Sequence, residues 1–360
     1  MPAQVEIARI AHPNPASDAE RAAMMADPVF GAVRTDHMVT IRYSEQDGWH
    51  DAKLEPRGPL PLDPASAVFH YAQEIFEGMK AYRRDDGQVV LFRPEQNAKR
   101  FQVSARRLAM PELPEDLFVD AVKALVKADE NWVPTEGSLY LRPFLIATEG
   151  ALGVRPSKDY MFVVIACPVG NYFKGEARAV SIWASKEYSR ASRGGTGFAK
   201  CGGNYAASLL AQAEAYKHGC EQVLFLDAIE GKWIEELGGM NVFFVKKDGS
   251  LVTPPLGGTI LPGVTRNSLI QLAKDQGRTV NEEMYSLEQL RIDCEKGEVV
   301  EAFACGTAAI VVGIGQIKTP DGDFQIGDGN EGEFSRSIRS ELLNIQKGLG
   351  EDRHNWVYPV

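Results

Sequence analysis

The spacing of apolar and polar positions changes character several times along the chain, and each change predicts an element. His37–Tyr43 and Val89–Phe92 have the character of strands. Phe101, Ala105 and Leu108 recur at helical spacing behind Pro94. A second helix follows Pro114, with Glu115 and Asp116 in its first turn and Phe118, Val122, Leu125 and Val126 on one face. Two longer strands are expected at Ser138–Thr148 and Tyr160–Cys167, and the second, apolar on both faces, is expected to be central in a sheet. Pro168–Gly175 breaks the pattern and reads as a linker. Beyond it come a helix from Asn204 to Gly219, a strand at Gln222–Leu226 and a hairpin over Asn241–Thr253 turning at Lys247–Ser250. Further helices are expected from Val264 to Gly277 and from Phe334 to Gly348, and Ser286–Gln289 has the form of a capping box. The first thirty residues, rich in Ala and Pro, read as an irregular lead-in. The expectation is two mixed α/β domains, a small one over 1–168 and a large one over 180–360 that carries Lys200, joined by a linker at 169–179. Their cleft is the default place for a ligand.

Composition narrows the function without naming it. The 360 residues are 44% hydrophobic and 24% charged, with a net charge of -10. That balance fits a globular protein and argues against a nucleic-acid or membrane-surface binder. Five cysteines, at 167, 201, 220, 294 and 305, form no C-x-x-C pair and are odd in number, so neither a metal site nor a disulfide framework is expected. With no apolar signal-like segment near Met1 and no run long enough to span a bilayer, a reducing, cytoplasmic setting is expected.

The most informative stretch is Gly194–Tyr205, where Lys200 stands among five glycines ahead of a helix. Glycine lets backbone approach a ligand closely. A lysine desolvated in such a place becomes a usable nucleophile or base, suited to an adduct with an aldehyde. A phosphate loop would need Gly-Lys-Ser/Thr, but Ala199 precedes Lys200 and Cys201 follows it. This stretch alone leaves open a solvated lysine on a flexible glycine loop.

Other local patterns accompany it: Phe76-Glu77-Gly78-Met79-Lys80, Leu139-Tyr140-Leu141-Arg142-Pro143, Glu235-Glu236-Leu237-Gly238-Gly239-Met240-Asn241, Leu261–Arg266 and Cys305-Gly306-Thr307-Ala308. In this order and spacing the set resembles the branched-chain amino-acid aminotransferases, pyridoxal-phosphate enzymes of fold type IV, whose architecture is that of the D-amino-acid aminotransferases. The resemblance runs from about Phe30 to the C-terminus and implies transfer of the amino group between leucine, isoleucine or valine and 2-oxoglutarate, giving glutamate.

The resemblance assigns roles residue by residue. Lys200 matches the Schiff-base lysine and proton shuttle. Glu236 matches the carboxylate at the pyridine nitrogen, with Glu235 beside it as the alternative. Arg100, Thr307 and the helix-opening amides of Val264 and Thr265 match the phosphate site, and Tyr205 the donor to the 3′-oxygen. Phe30, Tyr71, Tyr140, Tyr172 and Gly239 match an apolar side-chain pocket. Thr307 and Ala308 match the turn that binds the α-carboxylate, and Arg142 the cation that receives the side-chain carboxylate of glutamate. Arg190 lies at the edge of the lysine loop. Leu152 and Val154 match a loop that enters the partner subunit's site, which implies a homodimer.

Two departures stand out. Mammalian members carry a C-x-x-C pair after the Gly-Thr-Ala turn, where this chain has Ala309 and Val312, so that thiol switch is expected to be missing. Gly239 replaces a threonine of some relatives and would widen the pocket. The competing readings are another fold type IV enzyme, such as a D-amino-acid aminotransferase or aminodeoxychorismate lyase, and a non-catalytic pyridoxal-phosphate carrier.

Overall fold

The computed structural model describes residues 5–170 and 179–360. Tyr172 and most of the expected linker lie outside the described residues. The chain divides into two compact units: Met1–Tyr172 with Ala199–Gly202 and Asn344–Val360, and Phe173–Phe198 with Gly203–Leu343.

In the first unit, strands β1 (Ala8–Arg9), β2 (His37–Ser44), β3 (Gly48–Pro56), β4 (Glu74–Phe76), β5 (Met79–Arg83), β6 (Val89–Phe92), β7 (Ser138–Ala147) and β8 (Asp159–Val169) share a sheet with the C-terminal strand Val357–Pro359. Their order is β1-β3-β2-β8-β7-β5-β6, with the C-terminal strand beside β6 and β4 paired to β7 off this path. β8 is central, as its two apolar faces require, and pairs antiparallel with both β2 and β7. One face of the sheet is covered by two of the unit's helices. The helices of this unit are α1 (Asp18–Met25), α2 (Ala67–Tyr71), α3 (Pro94–Arg107) and α4 (Glu115–Ala128). Phe101 of α3, Phe118 of α4 and Phe162 of β8 meet with ring centroids 5.3–5.7 Å apart and fasten both helices to the sheet. All three are fully buried, which stabilises by roughly 1.5–3 kcal/mol each.

The lead-in is not wholly irregular. α1 forms there because Ser17 and Glu20 make a reciprocal capping box. It buries none of its residues, so it left no apolar period to read.

The second unit holds β9 (Val180–Ser185), β10 (Gln222–Leu226), β11 (Ile234–Leu237), β12 (Asn241–Lys246), β13 (Leu251–Thr253), β14 (Val280–Glu282), β15 (Val299–Gly306), β16 (Ile310–Lys318) and β17 (Phe324–Gln325). Their order is β11-β10-β9-β16-β15-β12-β13-β14, with β17 beside β16. The unit is mixed, with β9 parallel to both β10 and β16 and the β12–β13 hairpin antiparallel. Its helices are α5 (Gly202–Lys217), α6 (Val264–Asp275), α7 (Leu287–Glu295) and α8 (Glu333–Gln346). The first residue of α5 and the last three of α8 group with the first unit. Ala211 and Ala215 of α5 pack on Trp183, Val223 and Phe225, whereas Ala206, Ala207, Leu209, Leu210, Ala213 and Tyr216 face outward. At the start of α7 the expected capping box is half formed. Ser286 accepts from the Gln289 amide, but the Gln289 side chain donates forward to Asp293 at 2.7 Å instead of back to the cap.

Candidate active site

Lys200 is fixed by its backbone before its side chain does anything. Its N–H donates to Ser104 Oγ on α3 at 2.9 Å, and its carbonyl accepts from the Phe76 N–H at 2.9 Å. Two residues on, the Gly202 N–H donates to the Glu74 carboxylate, at a place where any side chain would strike that carboxylate. Burial raises the Glu74 pKa, opposed by this amide and by nearby Arg142. Gly197 likewise admits the Thr259 carbonyl. At these two positions glycine makes room for the protein's own atoms, not for a ligand. The Lys200 ammonium lies 4.7 Å from the centroid of Phe76, and the Arg142 guanidinium lies 4.6 Å from the same ring. Phe76 thus joins two candidate functional cations, a role its motif alone did not disclose.

Arg142 and Tyr140 are two apart on β7 and share a face. The register sets Tyr140 opposite Cys167 and Arg142 opposite Ile165 on β8. Arg142 Nη2 donates to the Tyr140 hydroxyl at 3.0 Å, for which Gly78 leaves the space. Phe30 meets Tyr140 edge-on at 5.0 Å. These side chains, with Arg34, line a hollow of about 130 Å³. Arg142 Nε is buried there without a hydrogen-bond partner among the described residues. Burial pushes the Cys167 thiol up, while Arg142 and Arg34 pull it down.

Arg100, on α3 in the same unit, is held by Glu77. Its Nε and Nη2 donate to the two carboxylate oxygens at 2.8 and 2.7 Å, and Asn97 donates to Glu77 at 2.8 Å. Only Nη1 lies outside that fork. Tyr71, Leu152 and Val154 form a separate group. The Tyr71 hydroxyl donates to the Leu152 carbonyl, and all three side chains are exposed, Val154 at 84%. They do not line the Tyr140–Arg142 hollow.

The other site residues are in the second unit. β11 sends Glu235 and Glu236 to opposite faces. Glu236 Oε1 pairs with Arg190 Nη1 at 2.8 Å, both side chains 3% exposed, and accepts the Leu261 amide at 2.8 Å. Arg190 is itself held by the carbonyls of Thr259 and Gly197. Glu235 instead takes the Thr259 hydroxyl at 2.6 Å, keeps a buried oxygen without a hydrogen-bond partner among the described residues, and has its pKa raised by burial. Of the two, Glu236 is the carboxylate paired with a guanidinium. Asn241 donates to Glu236 and to the Leu261 carbonyl and lies where a side chain on Gly263 would fall. Gly263 caps α6 without a side-chain bond, and no acidic residue occupies the first turn, which holds Val264 and buried Thr265. Such a helix start is an anion site in form. Thr307 and Ala308 turn the chain from β15 to β16. The turn ends at Ile310 with φ 64°, a left-handed conformation that costs a β-branched residue about 1–3 kcal/mol. Gly239 stands beside both Tyr205 and this turn: a Cβ on it would lie 3.8 Å from the Tyr205 ring, and its carbonyl lies near Gly306.

A larger hollow of about 420 Å³ in the second unit contains none of these residues. Its Lys186 is paired with Asp321, and its Arg291 donates to the Gly322 carbonyl at 2.6 Å. Among the described residues no group of His, Cys, Asp and Glu could hold a metal ion, and no helix is long and apolar enough to cross a membrane. All five cysteines are free.

The family model for amino-transferase class IV matches residues 74–317, which include Lys200, Glu236 and Thr307. The chain belongs to the class IV aminotransferases. It is 56% identical over 359 residues to a probable branched-chain-amino-acid aminotransferase of Streptomyces coelicolor, covering 99% of this chain and 98% of that one. It is 54% identical over 353 residues to a branched-chain-amino-acid aminotransferase of Mycolicibacterium smegmatis, covering 96% of each. Among solved structures it resembles the branched-chain amino acid aminotransferase of Thermobaculum terrenum in its PLP form, with a TM-score of 0.75 and 26% identity over 90% of this chain and 98% of that one. The mixed α/β architecture of both units is that of class IV aminotransferases.

Among the described residues, the Glu77–Arg100 fork is the most buried ion pair of this class IV aminotransferase's first unit, with side chains 0% and 7% exposed. Glu77→Ala removes the carboxylate paired with a buried guanidinium, which should cost about 3–5 kcal/mol in denaturant unfolding, of which adding Arg100→Met recovers a part. A loss under about 1 kcal/mol, the range of exposed pairs, would contradict this account.

Proposed function

We propose that this chain is a branched-chain aminotransferase. It moves the amino group of leucine, isoleucine or valine to 2-oxoglutarate, uses pyridoxal 5′-phosphate, and works as a homodimer in the reducing cytoplasm. One observation carries the substrate class. The Tyr140–Arg142 hollow is walled by Phe30, Tyr140 and Ile165 yet holds the Arg142 guanidinium, whose buried Nε has no hydrogen-bond partner among the described residues. Apolar walls suit a branched side chain. The cation suits the carboxylate of glutamate, which could not otherwise be buried there.

The donor set suits the cofactor. Lys200 supplies the amine that holds its aldehyde. Glu236, paired with Arg190, suits a protonated ring nitrogen. The uncapped α6 start at Val264 and Thr265, the Thr307 hydroxyl and the Nη1 edge of Arg100 suit its phosphate, and Tyr205 suits its 3′-oxygen. When bound, pyridoxal phosphate supplies the electron sink that makes the substrate's α-hydrogen acidic. The chain's own residues do the rest. Lys200 Nζ takes and returns that proton. The amides of the Thr307–Ala308 turn receive the α-carboxylate. Phe30 and Tyr140 receive the side chain. The exposed outer face of α5 and the exposed Tyr71, Leu152 and Val154 support self-association, with Leu152 and Val154 contributed to the partner's site. Sedimentation should give twice the chain mass of 39.5 kDa.

The protein loaded with pyridoxal phosphate should form glutamate from leucine and 2-oxoglutarate, and no glutamate from any branched-chain amino acid would overturn the reading. Lys200→Ala should keep its circular dichroism and lose about a thousandfold or more of that rate. Arg142→Met should weaken the glutamate half-reaction about a hundredfold, equivalent to ~3 kcal/mol, and the leucine half-reaction far less. Equal losses in single-turnover measurements would mean that Arg142 serves the α-carboxylate or the fold.

A further inference from the structure

The hollow around Arg142 contains a second cation to which the resemblance gives no role. Arg34 lines it together with Phe30, Tyr140, Arg142 and Cys167. Its backbone is well placed, because the next residue, Thr35, is buried and donates its N–H to the carbonyl of Ala166, itself part of the lining, at 3.2 Å. The Thr35 carbonyl in turn accepts from Arg57 Nε at 3.2 Å. The chain between Phe30 and β2 is thereby held at the end of β8. From there the exposed Arg34 side chain reaches the mouth of the hollow. Both guanidinia act electrostatically on the Cys167 thiol, which lines the same hollow. Among the described residues neither Arg34 nor Arg142 forms an ion pair, whereas Arg100 and Arg190 each have a carboxylate.

Two like charges that share a small, apolar-walled hollow repel each other until an anion enters. One carboxylate offers two oxygens and about four lone-pair directions, enough to accept from two guanidinia at once. We infer that Arg34 is a second anion-binding residue that, with Arg142, receives the distal carboxylate of the dicarboxylic partner substrate. Arg142 gives the inner contact, and Arg34 closes over the carboxylate from the mouth. A leucine side chain presents no charge to either and leaves Arg34 in water. Arg34 is therefore a specificity residue that favours the dicarboxylate over the branched-chain substrate. This inference rests on the proposed function, since it deepens the account of the same hollow.

Calorimetric binding of two unreactive acids to the holoenzyme tests it: glutarate, which has the distal carboxylate, and 4-methylpentanoate, which does not. Arg34→Gln should weaken glutarate about five- to tenfold relative to 4-methylpentanoate, the scale of a partly exposed ion pair. Arg34→Lys should restore most of the difference. The wild-type preference for glutarate should also fall with added salt more steeply than in Arg34→Gln. An unchanged ratio of the two affinities in Arg34→Gln, or equal losses for both acids, would overturn the inference while leaving leucine transamination, and so the proposed function, intact. Failure of the unmodified holoenzyme to transaminate leucine would instead overturn the proposed function, whatever the ratio does.

Discussion

The site depends first on how the backbone of Lys200 is held. Its N–H and C=O are spent on Ser104 and Phe76, and the Gly202 amide on Glu74. A segment rich in glycine is entropically expensive to order. These bonds offset that cost and tie four residues, Ala199–Gly202, to the α3 and β4 side of the first unit. The side chain then projects from a fixed point onto the ring of Phe76. Such a fixed point sets where the Lys200 amine can act.

The distribution of charge follows a second rule. Where a cation supports structure, a carboxylate neutralises it: Arg100 has Glu77, and Arg190 has Glu236. Where a cation is exposed to an incoming anion, it forms no ion pair among the described residues, as for Arg142 and Arg34 beside the Phe30–Tyr140 wall. Buried charge is tolerated only with a partner, so the cations without one mark the place where a ligand completes the set. The carboxyl groups obey the same logic. Glu236 is met by a guanidinium and an amide, whereas burial raises the pKa of neighbouring Glu235.

Much of this could be read from residues in a row. The strong periods gave α4, β8, β10, the β12–β13 hairpin and α6 to within a few residues, because each buries a full apolar face. The motifs named Lys200, Glu236, Arg142 and the Gly-Thr-Ala turn as candidates. The elements that escaped bury little or are brief. α1 lies wholly on the surface behind a capping box, and β1, β4 and β14 have two or three residues each, too few for a period to show.

What the sequence determined by itself was the family: an amine among glycines, a carboxylate pair, a helix start behind Pro-Gly and a strand arginine, each legible because it is a local pattern of residue types. Tertiary structure decided the partners. Nothing in the order of residues says that Glu77 forks Arg100, that Arg190 rather than a lysine neutralises Glu236, that Gly202 exists to admit Glu74, or that Phe76 lies under both Lys200 and Arg142. These pairings join residues from 23 to 128 positions apart. They are set by strand register, helix packing and the need of every buried charge for a counterpart, which are properties of the folded chain and of no local segment.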